Sequence, residues 1–341
     1  MKRRVTLGDV ARAVGVSMQT VSRAVNNKGE ISPKTRERIM QTVQELGYRP
    51  NRLARAMSTQ QTNLVGLIVP DITNPYFPEV MRGVQDKALA NDYTVLACNS
   101  DDQPEAELGI IELLASHGVD GIITLSSKVR EGILAKFVET FRPLVFVNRH
   151  FEHPHVSSVI VDKVQGAYLA VDHFVQEGHH RIGMITNKNY SFSVEPRVQG
   201  FWERLKYHNL EITEDQVIGS TPSAEGGFEA TKTLLKRDKN ISAIFAYNDL
   251  MALGALRACH DNGLAVPDDV SIIGFDDIQF AAMSSPALSS VRVDKYHIGG
   301  LALERMLDMI KDPEKTHPPI NLGATLVLRE STRIVQHSPV G

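Results

Sequence analysis

Cysteine is scarce in this 341-residue chain: Cys98 and Cys259 are the only two. Two cysteines cannot make a disulfide framework, and a reducing, cytoplasmic setting fits them best. No apolar run reaches the roughly 18–20 residues of a membrane span, so no membrane partner is expected. The first residues, Met1-Lys2-Arg3-Arg4-Val5-Thr6-Leu7-Gly8-Asp9, carry charge but no apolar stretch of the kind a signal peptide needs. Catalytic signatures are also missing. There is no G-x-x-x-x-G-K-[ST] loop for a nucleotide phosphate and no G-x-S-x-G nucleophile elbow. The glycine pair in Glu225-Gly226-Gly227 does not follow a strand with G-x-G-x-x-G spacing. The histidines His150, His153, His155, His179 and His180 have no cysteine at zinc-like spacing, and H-P-H reads as a surface turn. No metal, no other cofactor and no enzymatic activity are expected.

What is present is an ordinary globular composition, 42% hydrophobic and 23% charged. The length allows two or three domains of about 100–200 residues each. The net charge of −3 conceals an asymmetry. Residues 1–61 hold twelve basic and four acidic residues, a formal charge of +8, and the remainder is −11. A basic arm on an acidic body points to a polyanion partner for the arm alone.

The arm reads as three short helices. Thr6 is placed to cap the first, with Asp9 three positions on, and Leu7, Val10, Ala11 and Val14 form one apolar stripe. Gly15 ends that helix and Ser17 caps the second, which buries Val21 and Val25. Ser32 caps the third, Pro33 suits its first turn, Ile39, Val43 and Leu46 line its inner face, and Gly47 ends it. Two helices joined at Gly15-Val16-Ser17 make a helix-turn-helix candidate, a motif whose second helix lies in the DNA major groove; a generic three-helix bundle with a solvated polar face is the other reading. Met18 and Ser22 share one face of that helix, as do Gln19 and Arg23; Gln pairs with adenine and Arg with guanine. The next segment, residues 50–62, is a linker with some helical character. Asn51 can cap it and Leu53, Ala54 and Met57 make a short stripe, but a helix this short is marginal alone and orders only with a partner.

From Leu64 onward, β-type apolar runs alternate with helical stretches. The runs are Leu64–Val69, Tyr93–Cys98, Val119–Leu125, Leu144–Val147, Val156–Val161, Arg181–Thr186, Val217–Gly219, Ile241–Tyr247, Val270–Phe275 and Leu288–Val293. This alternation indicates α/β structure with parallel sheets covered on both faces, and ten strands call for two lobes. Ligands in such sheets sit beyond the carboxyl ends of the strands. There the sequence places Asp71, Asn74, Tyr76 and Phe77, then Asn148 and Arg149, Asp162, Asn248 and Asp249, and Asp276 and Asp277. Asn and Asp at strand ends also serve as helix caps, so Asn248 or Asp249, and one of Asp276 and Asp277, carry that second reading.

In Val5-Thr6-Leu7-Gly8-Asp9-Val10-Ala11, the segment Gly15 to Asn26, Gly47-Tyr48-Arg49-Pro50-Asn51, Val69-Pro70-Asp71-Ile72-Thr73-Asn74-Pro75, Val119-Asp120-Gly121-Ile122-Ile123, Gly178-His179-His180-Arg181-Ile182, Asn248 to Ala255 and Ile273-Gly274-Phe275-Asp276-Asp277, the chain resembles the lactose-repressor/galactose-repressor (LacI/GalR) family of transcription regulators. The resemblance covers essentially the whole chain. It implies a helix-turn-helix domain (1–49), the hinge (50–61) and a two-lobed periplasmic-binding-protein-like body (62–341). The chain would cross between lobes near Asp162–Val164, Val293–Asp294 and Leu322–Ala324. Lobe one then spans about 62–163 and 294–323, and lobe two about 164–293 and 324–341.

The resemblance also implies partners and roles. The partners are double-stranded operator DNA, a small polar, sugar-like effector, and a second copy of the chain in a homodimer or tetramer. Met18, Gln19 and Arg23 look like the base-reading positions. Thr6, Ser17, Thr20, Ser22, Asn26, Ser32, Thr35 and Asn51 look like phosphate contacts, and the basic Arg55 joins the DNA-binding set. Met57 stands where many relatives insert a leucine into the minor groove; it is still apolar and unbranched. Tyr76, Phe77, Asn148, Phe192, Arg197, Asn248 and Asp276 are the candidate effector residues. Asn148 stands where several relatives have Asp, and Pro222 near where some have a large aromatic. An enzyme, such as a sugar kinase with a DNA-binding arm, would need the phosphate loop this chain lacks. A secreted binding protein would share the body without the first 61 residues. A regulator of the same fold that takes its signal from a phosphoprotein on lobe one remains the alternative reading.

Overall fold

The computed structural model describes residues 5–26, 29, 31–48, 61–141, 143–189, 195–210 and 213–333. Asn51, Arg55, Met57 and Phe192 lie outside the described residues, as does nearly all of the 50–61 hinge. The chain forms two compact units, Met1–Thr62 and Asn63–Gly341.

The first unit is helical. Helix α1 spans Leu7–Val14, and its start is a capping box: the Thr6 hydroxyl accepts from the Asp9 N–H and the Asp9 carboxylate accepts from the Thr6 N–H. Helix α2, Met18–Val25, begins at Ser17, whose hydroxyl accepts from the Thr20 N–H at 3.1 Å. Between the two, Gly15 takes φ 73°, a left-handed conformation that glycine adopts without steric cost. Helix α3, Pro33–Leu46, starts at the Ser32 cap with proline in its first turn. Val10, Ala11, Val14, Val21, Ala24, Ile39 and Tyr48 form the core. Leu46 departs from its expected place on the inner face and is 39% exposed. Gly47, at φ 65°, ends α3 and turns the chain so that the Tyr48 N–H reaches the Val43 carbonyl, and the Tyr48 ring is buried instead.

The second unit contains two six-stranded sheets. In chain order its elements are β1 (Leu64–Val69), α4 (Tyr76–Ala90), β2 (Thr94–Asn99), α5 (Pro104–Ser116), β3 (Gly121–Leu125), α6 (Glu131–Val138), β4 (Leu144–Val147) and β5 (Val156–Val161). There follow α7 (Lys163–Gln176), β6 (Ile182–Asn187), α8 (Glu195–Tyr207), β7 (Val217–Ser220), α9 (Ala224–Arg237), β8 (Ala243–Ala246), α10 (Asp249–Asp261) and β9 (Ser271–Asp276). The chain continues through α11 (Gln279–Met283), β10 (Ser289–Arg292), α12 (Lys295–Lys311), β11 (Ile320–Leu322) and β12 (Thr325–Val327). One sheet has the order β11-β5-β4-β3-β1-β2 and the other β12-β10-β9-β8-β6-β7. Every pairing is parallel except β10 with β12. The chain passes from one sheet to the other after β5, after β10 and after β11. Strands β3, β4, β8 and β9 are buried along their whole length, which is why they read as unbroken apolar runs.

Helices α4 and α12 pack against each other beside the first sheet. They approach so closely that a Cβ at Gly83 would lie 2.0 Å from the Tyr296 carbonyl oxygen, and one at Gly299 would lie 2.0 Å from that of Val80. Both obstacles are backbone, so a larger residue must push the helices apart. Gly83→Ala should therefore cost about 1–3 kcal/mol of stability, the usual range for overpacking a core. Urea unfolding measures it, and a midpoint equal to that of the unchanged chain would refute the close-packed crossing.

Candidate DNA-reading and effector sites

On α2 the expected base-reading residues share one open surface. Met18 is 61% exposed, and Gln19 and Arg23 are exposed beside it. The remaining polar residues are partly used within the unit. Ser17 and Thr20 share a hydroxyl contact at 2.9 Å, and Ser32 and Thr35 share one at 2.8 Å. The Asn26 side chain donates to the Ser22 carbonyl at 2.8 Å and closes the end of α2. The Asp9 carboxyl is pulled down to about 2, first by the Thr6 hydroxyl and then by the Thr6 N–H, so the α1 cap persists into acid. Thr6, Ser17 and Ser32 thus hold three helix N-termini, whose N–H groups and positive dipole ends suit phosphate oxygens.

In the second unit, strand ends from both sheets surround a cavity of about 130 Å³. Pro70, Asp71, Asn74, Phe77, Asp102, Ser126 and Lys128 line it from the side of the first sheet. Asn187, Pro222, Tyr247 and Asn248 line it from the side of the second. The volume is below the roughly 300–1,000 Å³ of drug-sized pockets and suits a small polar molecule. Two of the expected effector residues, Phe77 and Asn248, line this cavity directly. Asn248 also caps α10, accepting from the Met251 N–H at 2.9 Å, so the cap and the place in the cavity wall occur in one conformation.

Four more of the expected residues form a buried polar cluster next to the cavity. The Asn148 amide donates to the Tyr76 hydroxyl at 2.9 Å. Arg197 faces Asp276 with 3.4 Å between nitrogen and oxygen. That is longer than the 2.7–2.9 Å of a tight charged pair, so the two groups are not closed onto each other. The Arg197 guanidinium lies over the rings of Phe275 at 4.0 Å and Tyr247 at 4.6 Å. Tyr247 and Phe77 join the cluster to the cavity, the latter by an edge-on contact with Tyr76 at 5.1 Å between centroids. Asn148 and Asp276 both end a strand with positive φ, 63° and 104°. Such backbone is strained for residues other than glycine and gathers at functional positions.

Lys163 was not among the expected residues, yet it completes the cluster. Its ammonium donates to the Asn148 amide oxygen at 2.9 Å, and the residue is only 4% exposed. A lysine gives little sequence signal of its own, because most lysines are solvated. Only the position of α7 brings Lys163 against Asn148. Tyr247 and Asn187, which also went unnamed, end apolar runs and were open to the strand-end rule. The other strand-end residues take structural parts. Arg149 donates to Ser127 and Val129, and Asp162 caps α7. Asp249 accepts from Ser290 and from the Ile278 N–H, and Asp277 pairs with Arg292 and Arg329. His179 is buried between the hydroxyls of Ser242 and Ser271. Among the described residues, no group of three or more His, Cys, Asp or Glu is placed to hold a metal ion.

Burial sets the electrostatics of the cluster. It pushes the Asp276 carboxyl up to about 6, against the opposing pull of Arg197, Lys295 and Lys163. It pushes the Lys163 ammonium down to about 7, helped by Arg197 and opposed by Asp276 and Asp162. The Tyr76 hydroxyl and the Asp249 carboxyl are both raised, burial again being the main cause.

A profile of bacterial regulatory proteins, lacI family, matches residues 6–51, and one of the periplasmic binding protein-like domain matches residues 171–332. Catabolite control protein A of Priestia megaterium is 33% identical over 96% of this chain and 99% of its own length. The HTH-type transcriptional repressor PurR of Aliivibrio salmonicida is 31% identical over 96% and 98%. The chain belongs to the LacI family. A structure of the lac repressor dimer bound to operator and the anti-inducer ONPF superposes with a TM-score of 0.87 at 28% identity, covering 97% of this chain and 99% of that one. The transcriptional regulator CelR in complex with cellobiose gives a TM-score of 0.74 at 29% identity, over 96% and 100%. As a LacI-family protein, this chain is a DNA-binding transcription regulator rather than an enzyme, with the two-lobed architecture expected from its sequence.

The Lys163 assignment has a measurable consequence. An unfolded lysine keeps its proton up to about 10.4, whereas buried Lys163 releases it near 7. Between those values the unfolded chain binds more protons, so stability rises with pH. Thermal unfolding should show a rise from pH 7 to 9 that is smaller in Lys163→Met. Equal slopes would place Lys163 in solvent.

Proposed function

We propose that this LacI-family chain is a repressor whose operator affinity is set by a small, polar, sugar-like effector bound at the strand ends. The observation that carries this reading is the cavity lined from both sheets, with the loosely closed Arg197–Asp276 pair beside it. A ligand hydroxyl can bridge such a pair from the cavity side, accepting from the guanidinium and donating to the carboxylate. Relatives support the ligand class. CelR is described with cellobiose, and a LacI-family regulator from Enterococcus faecium with bound ribose. The intact polar cavity favours this reading over control by a phosphoprotein. The chain acts in the cytoplasm as a homodimer, as the lac repressor dimer does on its operator.

On DNA, Gln19 and Arg23 read base edges, and the exposed Met18 supplies an apolar contact of the kind a thymine methyl offers. Thr6, Ser17, Thr20, Ser22, Asn26, Ser32 and Thr35 position the unit on phosphates. Asn51, Arg55 and Met57 extend that contact from the hinge, with Met57 as the minor-groove wedge.

Two measurements test the two halves. Gln19→Ala or Arg23→Ala should relax specificity at one operator position and cost about 1–3 kcal/mol there. Quantitative footprinting that showed uniform weakening on every sequence would move these residues to the phosphate-contact class. Arg197→Ala should weaken the effector by about 2–5 kcal/mol while leaving operator affinity of the unliganded chain nearly unchanged. Calorimetry giving undiminished effector affinity in the variant would sink the Arg197 assignment.

A further inference from the structure

The cavity lining holds Asp71 and Asp102 with Lys128, but the buried cluster beside it is unevenly charged. Lys163 and Arg197 are both buried, and Asp276 is the carboxylate they share. A third cation, Lys295, sits on the main-chain oxygens of Asp276 at 2.7 Å and Asp277 at 2.9 Å, and it has its own carboxylate in Glu79 at 3.5 Å. The next buried carboxyl, Asp249, is held by Ser290 and the Ile278 N–H, and burial favours its neutral form. Lys163 itself is held by a neutral group. Its ammonium has three N–H donors, and among the described residues it donates to the Asn148 amide oxygen alone. A buried ammonium with donors to spare, beside a guanidinium, either gives up its proton or takes in an anion.

We infer that the effector carries an acidic group, a carboxylate or a phosphate on a polyhydroxylated small molecule, and that Lys163 is the residue that selects for it. This inference rests on the effector-site reading above and narrows the ligand class. A neutral sugar would leave the charge imbalance in place. An anionic group would receive the spare Lys163 donors and stand opposite Arg197, while Asp276 and Asn248 remain for hydroxyls. The groups facing Lys163 are Asp162 on its own helix, Tyr76 from α4, Asn148 from the end of β4, Arg197 from α8 and Asp276 from β9. None supplies a second buried carboxylate. Since Lys163 releases its proton near 7, binding an anion must draw a proton onto it. Affinity for the acidic ligand should then fall as pH rises above 7.

The test uses the full-length chain and matched probes: glucose, gluconate and glucose 6-phosphate; ribose and ribose 5-phosphate; and acetate and inorganic phosphate as bare acidic groups. Thermal shift and calorimetry read the affinities. At least one acidic probe should bind tenfold or more tighter than its neutral counterpart, or a bare acidic group should stabilise the chain. That preference should vanish in Lys163→Met and Lys163→Gln, two variants of which either alone decides if the other fails to fold. Proton uptake in the unchanged chain, read by calorimetry in buffers of different ionisation heat, needs no variant and should accompany acidic-probe binding. The preference for carboxylate over phosphate separates the two acidic classes. Neutral sugars binding as tightly as acidic ones, or an acidic preference that survives both variants, overturns the inference and leaves the effector site standing. No shift with any probe also overturns it, while the effector-site reading is judged separately by Arg197→Ala.

Discussion

Asp276 is a contact point between elements that flank the two sheets, through both its carbonyl and its carboxylate. It ends β9 with a backbone conformation that few non-glycine residues adopt, at φ 104°. That turn exposes its carbonyl to Lys295 of α12, a helix packed against the first sheet, while its carboxylate faces Arg197 of α8 on the second. Lys163 makes the reciprocal link. It starts a helix that packs against the second sheet and donates back to Asn148 at the end of β4 in the first. Each lysine follows a crossing and reaches back over it.

This arrangement carries an energetic tension. Buried ion pairs often gain little over apolar packing, because desolvation offsets their attraction. Here the offset is visible in the raised Asp276 carboxyl and the depressed Lys163 ammonium. The cluster is therefore a weak source of stability. Such a site can couple binding to conformation, since a ligand shifts an equilibrium only by its differential affinity for the two states.

Short polar residues at element ends serve two purposes throughout the chain. Thr6, Ser17 and Ser32 cap helices and hold the helix N-termini open towards solvent. Asn248 caps α10 and lines the cavity. Asp162 caps α7, and Asp249 is a buried anchor. Residue type and position were the same in sequence for all of these. What differs is which surface the capped end meets.

The apolar runs and helical stripes were legible, and with them the helix-turn-helix unit and the two parallel sheets, because burial on both faces leaves an unbroken apolar signature. Helix α12 lies beyond the last of the apolar runs, Leu288–Val293. Its Gly299-Gly300 pair lowers helix propensity, and Gly299 becomes favourable only where α4 approaches within backbone contact. Strands β11 and β12 are three residues each and depend on their neighbours for existence. The sequence by itself determined the alternation of elements, the caps, the charge division and the family. Tertiary structure alone decided that Leu46 is exposed and Tyr48 buried, that Lys163 lies against Asn148, and that Arg197 meets Asp276 at 3.4 Å. Local pattern reports which face of an element is apolar, whereas a buried charge meets its partners only through contacts between residues 15 to 79 positions apart.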